Sequence, residues 1–206
     1  MIVLRREFAR DRRTTAPKPR TTALRLGGVV LAAVAGLGLG AGAANATPPE
    51  SLSVSSTAMP DGSAITNDQV AQLCGGRDLS PDLSWSGAPA ETRSYAVVMS
   101  DPDAIGGTVW HWAAFDIPAG TTSLPTGLPS HSPLAKQADG QYALGYMGPC
   151  APPGRPHIYH VVVYALDVPS LGLPDGVDSV TARAAIDQHA LATGEIAAHY
   201  ALLSRG

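Results

Sequence analysis

Two apolar runs separated by a short polar loop form the clearest hydrophobic pattern in the chain. Residues 95–99 and 108–115 are rich in β-branched and aromatic side chains, which predicts two buried strands. Asp101-Pro102-Asp103 follows the first run, and Gly106-Gly107 permits a tight return. We therefore expect a strand–loop–strand unit whose loop carries two carboxylates and whose second strand contains His111.

Asp101, Asp103 and His111 permit two interpretations. The aspartates are common turn residues and the histidine is compatible with a hydrogen-bonded core position, in which case all three have a structural role. Alternatively, they form a site at a strand end. A second stretch favours the site, because a Gly/Pro-rich loop again leads into an apolar run at His157 and Tyr159. Residues two apart on a strand share a face, so these two side chains point the same way.

The remaining pattern predicts a β-rich domain with a helical C-terminal part. Short apolar runs such as those in residues 47–57 and 83–85 are separated by Gly and Pro turns. Residues 119–140 form a long connection with little periodicity, which is typical of a functional or site-covering loop. Residues 180–203 are alanine-rich with roughly helical apolar spacing, and Asp178-Ser179 precedes them as an N-cap. We expect one or two helices there, packed on the sheet.

Residues 1–46 have the pattern of an export signal. A basic segment precedes a Gly/Ala-rich apolar run that closes with Ala44-Asn45-Ala46, an A-x-A cleavage motif. The run is near membrane-spanning length, so an anchor is the alternative, but its small residues make a poor anchor. We expect cleavage after Ala46 and a single secreted or cell-envelope domain of residues 47–206. Arg5-Arg6 resembles a twin-arginine signature, so the Sec and twin-arginine routes both stay open.

Cleavage at this position would make the protein strongly acidic. The whole chain has 14 Lys and Arg residues and 17 Asp and Glu residues. Residues 1–46 contain eight of the basic residues and two of the acidic residues. Residues 47–206 therefore have six basic and fifteen acidic residues, a net charge of −9 with His neutral. An acidic surface repels nucleic acids and anionic lipid headgroups. We therefore expect no nucleic-acid partner and no adsorption to an anionic membrane.

Cys74 and Cys150 are the only two cysteines of the chain. In an exported protein a single pair favours a disulfide. The alternative is a catalytic thiol activated by a neighbouring base, for which His157 is near in sequence.

The order of these motifs resembles the phosphatidylethanolamine-binding protein family. The motifs are the DPDA loop, the His111-Trp112 pair, GYMGPC at residues 145–150, HIYH at 157–160 and VYALD at 163–167. The similarity runs from about Cys74 to Asp167 and is to the bacterial branch, often called Raf kinase inhibitor-like proteins. It implies a mostly β fold, an antiparallel β-sandwich-like domain with one or two C-terminal helices.

The resemblance also implies a small pocket for phosphate or a phospho-headgroup. The residues that match the family's pocket are Asp101, Asp103, His111, Gly148, Pro149, His157 and Tyr159. Imidazoles, a phenol and backbone N–H groups would supply donors to the anion, while the aspartates would orient a histidine or meet a headgroup amine. The family usually reads DPDAP where this chain has Ile105, so we expect a more apolar pocket wall.

An exported binding or regulatory protein without cofactor or metal is therefore the favoured function. The family includes inhibitors, and outside the cytoplasm a protease is a better protein partner than a kinase. The alternative is a hydrolase in which Asp101, Asp103, His111 and His157 hold a metal that activates water. The chain has no HExxH or GxSxG motif, so we expect no enzyme. A further alternative is an interaction protein whose pocket is unused.

Overall fold

The computed structural model describes residues 51–140 and 143–202. The predicted export signal and its cleavage site lie outside these residues. None of the helices within the described ranges is long and apolar enough to span a membrane.

The described residues form two antiparallel sheets and one α-helix. The smaller sheet has the order β1-β2-β5 and consists of β1 (Ser53–Ser55), β2 (Leu83–Ser86) and β5 (Ser123–Leu124). The larger has the order β6-β4-β3-β7-β8 and consists of β6 (Lys136–Gln137), β4 (Val109–Pro118), β3 (Ser94–Asp101), β7 (His157–Leu166) and β8 (Ala190–Tyr200). The helix is α1 (Ser179–His189). The predicted mostly β, sandwich-like fold is confirmed.

The main core lies between the two sheets. Trp85 of β2 meets Tyr95 of β3 edge to face, with ring centroids 5.3 Å apart. Val97 and Val163, which are direct partners in the β3–β7 pairing, are fully buried in the same cluster. Each such side chain stabilises the fold by about 1.5–3 kcal/mol when it is fully removed from water.

A second core lies on the other face of the larger sheet. Ala182 and Ile186 of α1 pack with Phe115 of β4 and Leu166 of β7. Because both of its faces are covered, β3 is buried along almost its whole length. This explains why its sequence is a continuous apolar run instead of an alternating one, and the predicted strands at β3, β4 and β7 are confirmed.

Only half of the predicted helical C-terminal part is helical. α1 begins as expected, with the Asp178 side chain accepting a hydrogen bond from the Thr181 amide at 2.9 Å. The expectation of one or two helices is met by this single helix, but the helical interpretation of residues 190–200 was wrong, because they form β8, antiparallel to β7. Its alternate residues face the core, and a Cβ at Gly194 would lie 2.3 Å from the Leu52 carbonyl oxygen. Pairing with β7 outweighs the helix propensity of its alanines.

The outer edge of β8 is covered by the lead-in segment, residues 51–65. Leu52 N–H donates to the Thr193 carbonyl at 3.0 Å, and Ile65 N–H donates to the His199 carbonyl at 2.9 Å. Between them the Asp61 carboxylate accepts from the Ala197 amide at 2.8 Å. These bonds occupy backbone groups that an edge strand would otherwise present to another chain.

The predicted disulfide is confirmed. Cys74 and Cys150 are bonded with their Cα atoms 5.7 Å apart, and both are half-buried. The bond joins a short 3-10 turn, Gln72–Cys74, to the loop that precedes β7.

We expect Cys74→Ser combined with Cys150→Ser to lower the free energy of unfolding by about 4 kcal/mol, because 76 residues separate the two cysteines and the bond restricts a long loop of the unfolded chain. Urea unfolding followed by tryptophan fluorescence measures the change. Wild-type protein in excess dithiothreitol is the control and should match the double variant. Equal stability of oxidised wild type and the variant would contradict the prediction.

Candidate functional site

The ends of three neighbouring strands meet at one end of the larger sheet. β3 lies between β4 and β7, and antiparallel pairing places its last residue, Asp101, beside the beginnings of both neighbours. His111 is the third residue of β4, and His157 and Tyr159 are the first and third residues of β7. The fold therefore brings together four side chains that the sequence predicted as one site.

These four side chains line a cavity of about 370 Å³. They are at most 8% exposed and form its floor, which we call the polar floor (Asp101, His111, His157 and Tyr159). One wall is the rim, which consists of Met147, Gly148 and residues 150–152. Leu73 and Ile105, 80% and 93% exposed, stand at its mouth. The cavity is therefore polar at depth and apolar at its entrance, as the isoleucine predicted.

A larger cleft of about 900 Å³ shares Leu73 with this cavity. Its polar lining includes Asn67, Gln72 and His199, all of which are exposed. We place the functional site in the smaller cavity, because buried polar groups converge there and because enclosed polar groups bind ligands more strongly than solvated ones.

Asp101 fixes the orientation of His157. Its Oδ2 atom lies 2.7 Å from Nδ1 of His157, and its Oδ1 atom accepts from the Asp103 amide at 2.9 Å. Since a carboxylate accepts, Nδ1 of the imidazole carries the hydrogen. The polar atom that remains for the cavity is Nε2, which donates to a ligand when the ring is protonated.

His111 is held in the same tautomer by the rim. Its Nδ1 atom lies 2.8 Å from the Met147 carbonyl oxygen, which only accepts hydrogen bonds. Burial lowers the pKa of His111 and outweighs the Met147 carbonyl and the Asp101 carboxylate, which raise it. The ring is therefore neutral at pH 7, and Nε2 is its remaining polar atom.

Tyr159 lies between the two imidazoles. Its ring meets His111 edge to face at 5.2 Å and stacks on His157 at 6.4 Å between centroids. Burial and the neighbouring Asp101 carboxylate raise the pKa of the Tyr159 hydroxyl well above its usual range. The phenol therefore keeps its hydrogen at any physiological pH.

Two of the predicted site residues lie outside the cavity wall. Asp103 accepts from the Ile158 amide at 3.0 Å and pairs with Arg155. That amide, together with Arg155, lowers the pKa of the Asp103 carboxyl although burial opposes it. Pro149 is buried behind the rim, where its carbonyl accepts from the Ala71 amide. Asp103 thus fastens the β3–β4 loop to β7, and Pro149 fastens the rim to residues 69–71.

The rim depends on a contact that the sequence did not predict. Asp78 has a positive φ of 60° and accepts from the Gly148 amide at 2.6 Å. A Cβ at Gly148 would lie 2.2 Å from the Gln69 carbonyl oxygen and 2.4 Å from the Ala71 nitrogen. The glycine is therefore required for close backbone packing, and its N–H is engaged by a carboxylate and is not left for an anion.

Asp78 and Leu73 are the functional residues that sequence reasoning missed. A signal for the first was its place shortly after Cys74-Gly75-Gly76, where the similarity to the family begins. Leu73 gave no signal, because it lies just before that region, in a segment without a clear apolar pattern. Within residues 51–140 and 143–202, no group of three or more His, Cys, Asp or Glu residues is arranged to hold a metal ion.

A comparison with protein families matches residues 55–201 to the family described as phosphatidylethanolamine-binding protein. Among curated relatives, a UPF0098 protein of Aquifex aeolicus is 42% identical over 107 residues, which are 50% of this chain and 63% of that protein. A Mycobacterium tuberculosis protein named as lipoprotein LppC is 33% identical over 195 residues, 85% of this chain and 94% of the relative.

A solved structure with the same architecture is that of Escherichia coli YbcL, described there as a member of the mammalian PEBP family. It is 30% identical in sequence and superimposes with a TM-score of 0.69 over 74% of this chain and 98% of YbcL.

We expect the free energy of unfolding to fall as the pH falls below about 6.5, the ordinary imidazole pKa, because unfolded His111 takes up a proton that the buried ring resists. This contribution is complete above that pH and is lost progressively toward the lowered folded-state pKa. The slope from one such proton is at most about 1.4 kcal/mol per pH unit. Urea titrations between pH 8 and about pH 5 should give a shallower decline for His111→Gln. His131→Gln, at an exposed site, should keep the wild-type slope.

Gly148→Ala should destabilise the protein by about 2–3 kcal/mol or distort the rim, because the new methyl group meets backbone atoms that have no rotamer to change. Gly120→Ala is the matched control, since it has open space and no positive φ. Thermal unfolding compares the two variants. A Gly148→Ala protein as stable as Gly120→Ala would show that the rim is not closely packed.

Proposed function

Because the chain belongs to the phosphatidylethanolamine-binding protein family, we propose that it is an exported protein that binds a small phosphate-bearing anion on the polar floor. The ligand is inorganic phosphate or the phosphate of a headgroup. The cavity's volume and its apolar mouth are compatible with both.

The observation that carries this proposal is the pairing of His157 with Asp101. The Nδ1–H bond to the carboxylate fixes the orientation of this buried imidazole and leaves Nε2 as the polar atom for a ligand. When the ring is protonated, its Nε2–H is a charge-assisted donor, which binds phosphate oxygens about twice as strongly as a neutral donor does. The aspartate thus acts through the histidine and does not itself face the anion.

The proposal that the protein is exported is supported by separate observations. The predicted signal in residues 1–46, the Cys74–Cys150 disulfide and a relative named as a lipoprotein all favour the cell envelope or the exterior. No cysteine lies within or directly after the apolar run of residues 26–46, so lipid attachment there is not expected.

The rival function is a metal-assisted hydrolase. In the described part of the chain, Asp103 is committed to Arg155 and the Ile158 amide, which leaves Asp101 and the two histidines of the floor. Asp101 already accepts from His157 and from the Asp103 amide. A binding role therefore uses these contacts as they stand, whereas a metal would have to replace them. Inhibition of a protease stays a prediction.

Calorimetric titration of residues 47–206 with inorganic phosphate and with phosphoethanolamine tests the proposal. We expect wild-type protein to bind, with affinity rising as the pH falls from 8 to about 5 and histidine takes up a proton. His157→Ala should lose about tenfold to a hundredfold in affinity, since a hydrogen bond to a charged group contributes about 1.5–3 kcal/mol.

His189→Ala is the matched control, because it also removes a histidine paired with a carboxylate, at Asp167, but outside the cavity. It should bind like wild type. Metal content before and after EDTA treatment discriminates the rival, since a stoichiometric metal whose removal abolishes binding would favour the hydrolase. Absence of heat with both anions would contradict the proposed function.

A further inference from the structure

The Nδ1 hydrogens of both imidazoles on the polar floor are already engaged by the protein. Nδ1–H of His157 donates to Asp101, and Nδ1–H of His111 donates to the Met147 carbonyl. The Tyr159 hydroxyl keeps its hydrogen, because burial and the nearby Asp101 carboxylate raise its pKa. The two imidazoles therefore offer fewer donors to a ligand than their four ring nitrogens suggest.

Nε2 is the polar atom that each imidazole still has available for a ligand. When the His157 ring carries a second proton, that proton lies on Nε2, because Nδ1–H is bonded to Asp101. His111 stays neutral at pH 7, since burial lowers its pKa, so its Nε2 is a lone pair. The charged and titratable groups packed against the two rings from the neighbouring elements are Asp78, Asp101, Asp103, Arg155 and Tyr159.

We propose that the cavity selects an oxyanion that brings its own hydrogen to Nε2 of His111, and that it rejects a fully deprotonated oxyanion near neutral pH. This inference rests on the proposed function and narrows its ligand to a phosphate that retains a P–O–H group. The hydrogen satisfies the lone pair of His111, while protonated His157 donates to another phosphate oxygen.

The physical basis of the selection is the cost of an unmatched acceptor. An ion without hydrogen sets an oxygen lone pair against the lone pair of Nε2 on a buried ring. A buried acceptor left unsatisfied weakens binding by about tenfold or more. Because His111 is fixed by Met147 and packed edge to face on Tyr159, the ring cannot rotate freely to present a donor.

The experiment compares dissociation constants for phosphate, sulfate and methyl phosphate by calorimetry with the same protein. Phosphate keeps one hydrogen at pH 8 and sulfate keeps none, so phosphate should bind at least about tenfold more tightly there. Methyl phosphate loses its hydrogen above about pH 6 and should follow sulfate at pH 8 and phosphate below that pH. This arm distinguishes free phosphate from an esterified headgroup as the ligand at neutral pH.

Two variants test the assignment to His111. His111→Gln replaces the lone pair with an amide that also offers N–H donors, so the preference for phosphate over sulfate should fall below about threefold. His160→Gln, which alters a histidine of the same strand as His157 that is paired with Glu195 outside the cavity, should keep the full preference. Circular dichroism of both variants confirms the fold.

Sulfate binding within about threefold of phosphate at pH 8 would overturn this inference, as would an undiminished preference in His111→Gln. Both results leave anion binding itself intact. Failure of all three anions to bind would instead contradict the proposed function.

Discussion

The site depends on one buried carboxylate. Asp101 is almost fully enclosed, and an ionised group in such a position is tolerated only when its oxygens are hydrogen-bonded. Its partners are the His157 ring, which belongs to β7, and the Asp103 amide, which belongs to the loop after β3. The same bonds that make the carboxylate stable therefore set the tautomer of the histidine. The same hydrogen bonds therefore determine the chemistry of the polar floor and stabilise the strand ends.

Sequence reasoning predicted the strands whose burial is decided by local composition. β3, β4 and β7 are long runs of β-branched and aromatic residues, and both layers of the core need them. It was wrong at β8, where alanine, glycine and threonine are compatible with either periodicity. There the strand conformation is determined by contacts with the backbone of β7 on one side and of the lead-in segment on the other, where Gly194 packs against the Leu52 carbonyl. Such long-range contacts cannot be recognised in the local sequence pattern.

The candidate site divides in the same way. The family-like motifs identified the polar floor, because each motif carries one of its side chains. They did not separate the residues that line the cavity from those that brace it, such as Asp103 and Pro149. The Asp78–Gly148 bond joins positions 70 apart in sequence, and Leu73 reaches the mouth through a turn tied by the disulfide. Neither follows from residue order, since both arise only when distant segments pack.

The cover on the edge of β8 bears on how the chain acquires its fold. The lead-in is made first and β8 last, and the Asp61 carboxylate meets the Ala197 amide across 136 residues. Contacts of such long range form slowly, because the loop-closure entropy is lost before the bonds are gained. The larger sheet therefore cannot be completed while the C-terminal residues are still being synthesised. A chain that finishes folding so late stays unfolded for longer, which is compatible with the export across a membrane that we propose.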